Sequence, residues 1–220
     1  MILREGVLFP MATLRLRIFE PRYKKMLEEA LESHRMFCVA MQKPGYKREA
    51  PLPVAGLGLV RVAVRADDGT YNLVIQGIAR VRLRSARRYK PYRVHPITPI
   101  LCEMEDSPAI DAMRFRLLEV VERKFREKPP ETNELLRGFM KGFSEELPAE
   151  ACMAALRAIP HPGQLADIVT LLLVNDPLFR QLILQSEDLR QRYRNLFFVL
   201  EGHEMADDTL LDDGEGTDEP

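Results

Sequence analysis

Residues 9–27, FPMATLRLRIFEPRYKKML, change their hydrophobic period within a few positions. Leu14, Leu16 and Ile18 alternate with Thr13, Arg15 and Arg17, the period of two expected of a half-buried strand. Pro21 suits the first turn of a helix, where its missing N–H would have had no partner anyway. Tyr23, Met26, Leu27, Ala30 and Leu31 then recur at helical spacing, so one face of that helix must be buried. The stretch therefore predicts a strand passing at once into a helix, and residues 71–83, YNLVIQGIARVRL, are expected to form a hairpin.

Working outward, Phe37–Met41 is a short apolar run ended by Pro44-Gly45, a buried strand followed by a turn. Val54 to Gly58 begins another, and Val60, Val62 and Val64 alternate up to Asp67-Asp68-Gly69. Tyr71, Leu73 and Ile75 alternate after it, which predicts a hairpin with an Asp-Gly turn. A further strand, Ala79–Leu83, is expected after Gly77. Short strands, one early helix and no strand–helix alternation predict a mostly antiparallel sheet or partial barrel.

Beyond Asp106 the period becomes 3.6 and stays there. Ile110, Met113, Leu117, Val120 and Val121 define one helix, stopped by Pro129-Pro130. Leu135, Leu136, Phe139, Met140 and Phe143 define a second, and a third runs from about Ala149 to Ile159. Helices over 165–174 and 177–185 follow, then a last one carrying Leu189, Tyr193, Leu196, Phe197 and Leu200. The expected class is α+β, organised as a β-rich part (1–105), a helical bundle (106–205) and an acidic tail (206–220).

That tail holds Asp207, Asp208, Asp212, Asp213, Glu215, Asp218 and Glu219 and no base, so the total charge of −1 leaves a body near +6. So little apolar content predicts disorder there. Hydrophobic residues make up 46% of the chain, enough for a core. The longest apolar run, Ile168–Val174, falls far short of the ~20 residues of a membrane span, and Arg4 and Glu5 interrupt any leader-like stretch. A soluble, cytoplasmic protein is expected. Cys38, Cys102 and Cys152 are scattered among apolar neighbours and are expected to be small buried hydrophobes rather than reactive thiols.

Residues 8–23 resemble the strand–helix signature of the LON domain, the substrate-recognition module at the N-terminus of Lon ATP-dependent proteases, which reads approximately L-F-P-G-M-x-L-P-L-x-I-F-E-P-R-Y. Met11 stands where a glycine is usual and Arg15 where a proline is usual. Residues 68–83, the segment GQLADIV at 163–169 and the terminal LRQRYRNLFFVLEGHE are similar to further family patterns, so the likeness spans nearly the whole chain. It implies a PUA-like β pseudo-barrel with one early helix followed by a helical bundle. Phe9, Pro10, Phe19, Glu20, Pro21, Arg22 and Tyr23 carry the signature and are expected to be structural, with the Glu20 carboxylate accepting backbone N–H bonds at the helix start.

The resemblance also implies recognition of unfolded or degron-bearing polypeptide, in a groove between pseudo-barrel and bundle or by strand addition at a sheet edge. Hydrolysis does not carry over. No G-x-x-x-x-G-K-[ST] phosphate loop and no G-x-S-x-G elbow occurs, and the five serines are scattered. Gly56-Leu-Gly58 lacks the third glycine of a dinucleotide fingerprint. His34, His95, His161 and His203 have no second ligand at metal spacing. No catalytic residue, metal or cofactor is expected.

One segment resists that reading. Arg80, Arg82, Arg84, Arg87, Arg88, Lys90 and Arg93 come without an acid and are interleaved with Tyr89 and Tyr92. Alternation with Val81 and Leu83 predicts a row of guanidinium groups on one side of a strand. A solvated sheet edge accounts for such a row, as does an acidic partner or the acidic tail. A nucleic-acid interface, phosphates on the arginines and bases on the tyrosines, is the alternative function.

Overall fold

A computed structural model describes residues 1–46, 49–101, 107–128 and 148–202. In chain order it contains β1 (Ile2–Leu3), β2 (Thr13–Ile18), α1 (Pro21–Leu31), β3 (Met36–Met41), β4 (Val54–Arg65), β5 (Tyr71–Leu83) and β6 (Ile97–Pro99). The helices α2 (Pro108–Glu127), α3 (Ala149–Arg157), α4 (Pro162–Leu173), α5 (Pro177–Gln185) and α6 (Leu189–Glu201) follow. The expected second helix around Leu135–Phe143, Cys102, His203 and the acidic tail lie outside the described residues.

The class is α+β, with an open sheet in the order β1-β3-β4-β5-β2 and β6 alongside β5. β1 pairs with β3 in parallel, and every other pairing is antiparallel. The β4–β5 hairpin turns at Asp67–Thr70, where Gly69 takes φ +72° and Asp68 Oδ1 accepts from the Thr70 N–H at 2.9 Å. The expected separate strand over 79–83 is a continuation instead: β5 runs unbroken through Gly77 and pairs with β4 along its length. Its other edge is shared between β2, opposite Tyr71–Gln76, and β6, opposite Val81–Leu83.

Gly77 is a crossing point and not a break. The segment before β2 lies directly on the sheet there: Gly77 N–H donates to Ala12 O and Gly77 O accepts from Met11 N–H, both at 2.8 Å. A Cβ on Gly77 would stand 1.9 Å from Phe9 O, and one on Gly56 1.9 Å from Leu8 O. The glycines thus let Leu8 and Phe9 sink to 1% and 0% exposure against the strands.

Proline opens α1, α2, α4 and α5, consistent with its fixed φ. Asp176 and Asp188 cap α5 and α6 by accepting backbone N–H bonds, and His161 caps α4 through Nδ1. Strand periodicity sends alternate residues to two faces. Val39, Val54 and Ile75 join Leu117, Val121, Leu165 and Leu196 in one core shared with the helices. Each fully buried aliphatic side chain of this kind contributes roughly 1.5–3 kcal/mol. On the other face Ala40, Ala55 and Val81, backed by Cys38, Leu57 and Leu83, form a small second cluster.

Candidate functional site

The strand–helix signature places α1 beside β1. β1 and β2 stand at the sheet's two ends, and α1 places Tyr23 beside β1, where the Tyr23 hydroxyl accepts from Ile2 N–H at 3.0 Å and lies 3.3 Å from Ile2 O. Burial pushes that hydroxyl's pKa up to about 12. Arg22 grips Glu49 through both terminal nitrogens and takes Glu20 Oε2 with Nε at 2.8 Å. Burial alone would raise the Glu49 carboxyl; the bonds and charge of Arg22 hold it below the ordinary range.

Glu20 corrects the helix-start expectation. It is the N-cap of α1, yet its side chain makes no capping bond, because the guanidinium two residues on is the stronger partner. Phe9 and Tyr23 are buried, Pro10, Glu20 and Arg22 are half-buried, Pro21 is exposed as the first residue of α1, and Phe19 is 64% exposed.

The basic segment divides in two. Arg80 and Arg82 do share one side of β5, but that side is covered by the end of α5. Arg80 is 3% exposed and donates to Leu184 O at 3.1 Å and Ser186 O at 2.7 Å, a cation on the negative end of a helix. Arg82 pairs with Glu187. Neither is part of a free guanidinium row.

From Arg84 onward the chain leaves the sheet and folds back, with Arg87 N–H donating to Val94 O at 2.9 Å and Val94 N–H to Arg88 O at 2.9 Å. Arg84 donates to Thr98 Oγ1 at 3.0 Å. Tyr92 donates to Glu29 of α1, Arg88 stands 3.7 Å from the same carboxylate, and Arg88 lies over the Tyr92 ring at 4.6 Å. Arg93 stacks on Tyr89 at 5.2 Å and donates to Glu49 O.

This loop, α1 and β3 enclose a groove of about 520 Å³. Its floor is the exposed side of the second apolar cluster, Cys38, Leu57 and Leu83, extended by Met26, Met36 and Ile97. Its rim is polar, with Glu29, His34, Tyr92, Arg93 and His95. Burial pushes the Cys38 thiol pKa up, so this cysteine is a weak nucleophile on the groove floor. The expected groove between the sheet and the helices has a counterpart of about 540 Å³ between residues 41–46 and the start of α5, but turn residues and charges line most of it. The more extensive apolar surface lines the groove within the β-rich part. Its floor was invisible in the sequence because its residues come from four separate strands and from α1.

Among the described residues no three His, Cys, Asp or Glu side chains converge as metal ligands, and no helix is long and apolar enough to cross a membrane.

A family model described as the ATP-dependent protease La (LON) substrate-binding domain matches residues 1–201. The chain belongs to that family. Among curated relatives of this LON substrate-binding domain, the Lon protease of Dictyoglomus thermophilum is 25% identical over 204 residues, covering 90% of the chain and 23% of the relative. The Lon protease of Methylocella silvestris is 28% identical over 193 residues, covering 86% of the chain and 22% of the relative. The LON domain here thus spans less than a quarter of the length of these relatives. Its fold is that of the Lon N-terminal domain protein from Xanthomonas campestris, with a TM-score of 0.60 at 19% identity over 90% of this chain and 94% of that one. The N-terminal domain of the Mycobacterium avium complex Lon protease gives 0.66 at 13% identity, over 93% and 97%.

Proposed function

We propose that this chain is a non-catalytic polypeptide-binding module of the cytoplasm, and that the groove between α1, β3 and the loop 84–96 receives apolar side chains of an unfolded or degron-bearing segment. The observation that carries this reading is the groove itself, an apolar floor with a polar rim on a LON substrate-binding domain. The PUA-like pseudo-barrel belongs to the same reading, supported by Tyr23 of α1 bridging to β1. A nucleic-acid role loses support because Arg80 is held by the end of α5 and Ser186, and Arg82 by Glu187.

Fluorescence anisotropy with a labelled, unstructured apolar peptide tests the reading. Binding is expected, with protection of Cys38 from a thiol reagent in a chain whose other cysteines are changed to alanine. Ile97→Asp, at a partly exposed floor position, is expected to weaken binding about tenfold or more while the thermal transition is kept. Binding indifferent to Ile97→Asp, or ATP or peptide turnover by the purified chain, overturns it.

A further inference from the structure

Resting on the groove as a polypeptide site, we infer that its preferred ligands are apolar segments flanked by aspartate or glutamate. Tyr92 and Arg93, which form one wall of the groove, end the segment 84–93, RSARRYKPYR, which carries five bases and no acid. Four observations bring that charge to the groove and fix it there.

Tyr92 and Arg93 line the groove directly. A smaller hollow of about 290 Å³ opens beside it and shares Met26, Tyr92 and Arg93 as walls while adding Arg22, Tyr89 and Lys90. Arg88 and Arg93 are held by stacking on Tyr92 and Tyr89 at 4.6 and 5.2 Å, so their positions are set before a ligand arrives. The nearby carboxylates are already engaged, Glu29 by Tyr92 and Arg88, Glu49 by Arg22 and Tyr23.

Among the described residues Lys90, which lines the smaller hollow, and Arg87, three residues earlier in the same segment, are exposed and make no ion pair, leaving their charge available to the acidic flank of a ligand. A ligand seated by its apolar side chains on Leu57, Leu83 and Ile97 would run its neighbouring residues past this wall. Acidic neighbours gain attraction there, and basic ones meet like charge.

The test compares labelled peptides sharing one Leu-Phe-Leu core and flanked by aspartates, by serines or by lysines. On the full chain the aspartate peptide is expected to bind about tenfold more tightly than the serine peptide at low salt, and the lysine peptide more weakly than both. Raising salt to about 0.5 M should erase most of the difference, since these charges are exposed. The double variant Arg87→Ser/Lys90→Ser should lower the affinity of the aspartate peptide and leave the serine peptide unchanged.

Equal binding of all three peptides overturns the acidic preference and leaves the polypeptide site standing. Failure of all three, the serine peptide included, removes the site itself. Tighter binding of a single-stranded oligouridylate than of the aspartate peptide at the same low salt gives the wall to nucleic acid and overturns the inference. The chain's own Asp207, Asp208, Asp212 and Asp213 surround Leu210 and Leu211. Should the aspartate peptide bind only after those four are changed to asparagine, the groove belongs to that segment and not to a partner.

Discussion

Asp167 of α4 and Arg192 of α6 form an ion pair in the helical core, with side chains 9% and 1% exposed. The two residues lie in GQLADIV and in the terminal helix, so these segments of family likeness meet at one charge pair. Removing one partner takes this ion pair away from a buried charge, which costs about 3–5 kcal/mol. Asp167→Ala should lower the denaturation free energy by that amount, whereas the apolar double replacement Asp167→Leu/Arg192→Met should recover most of it. Chemical denaturation of the three proteins checks the pair.

Tyr23 does for β1 what a neighbouring strand would do. Its hydroxyl serves the Ile2 N–H on the strand's outer side, and its ring carries the Arg22 guanidinium at 4.4 Å. Tyr23→Phe keeps the ring and removes the hydroxyl, so backbone groups of Ile2 lose their partner at a cost of about 1–3 kcal/mol. Amide exchange at Ile2 should accelerate more than at β3 positions such as Val39, and the thermal transition should fall. Unchanged exchange at Ile2 would show that water replaces the hydroxyl at no cost.

What was legible in the sequence is what is local. The junction from β2 to α1 was readable because the period changes there from two to 3.6, and Pro21 marks the place. The α+β class followed from the same change beyond Asp106. Apart from Glu20, whose competing partner Arg22 is two residues away, the misreadings involve partners distant in sequence. Gly77 looked like the end of a strand because nothing nearby reveals that Phe9 rests on it. Arg80 looked solvated because the carbonyls that hold it are at Leu184 and Ser186. β1 and β6, with two and three residues, are too short to show a period. The groove is assembled from strands, a helix face and a loop whose individual patterns say nothing of one another.

Met11 sits at φ +66°, in the left-handed region, at the signature position where glycine is usual. A residue with a Cβ is strained there by about 1–2 kcal/mol, while glycine costs about 0.5–1 kcal/mol in unfolded-chain entropy. Met11→Gly should therefore stabilise the protein by up to about 1 kcal/mol. Met11→Ala keeps the strain and removes the contact of Met11 Sδ with Gln164 Nε2 at 2.9 Å, so it should not stabilise. Parallel thermal melts of the two variants separate strain from packing.

Asp68 makes the β4–β5 turn sensitive to acid. Its Oδ1 accepts from Thr70 Oγ1 and Thr70 N–H at 2.6 and 2.9 Å, and its Oδ2 accepts from Arg17 at 2.7 Å. The bonds from Thr70, with the Arg17 contact behind them, lower the carboxyl from an ordinary 3.8 to about 2. A depressed folded-state value contributes stability that is fully present above the unfolded value, and that is lost as pH falls through the folded one. Asp68→Asn keeps the shape and removes the titration. The melting temperature of the native chain should exceed that of the variant by a constant margin near neutrality, and the margin should close as pH falls from about 4 to about 2. A margin that stayed constant through that window would mean that the Thr70 and Arg17 bonds do not distinguish the charged carboxylate from its neutral form.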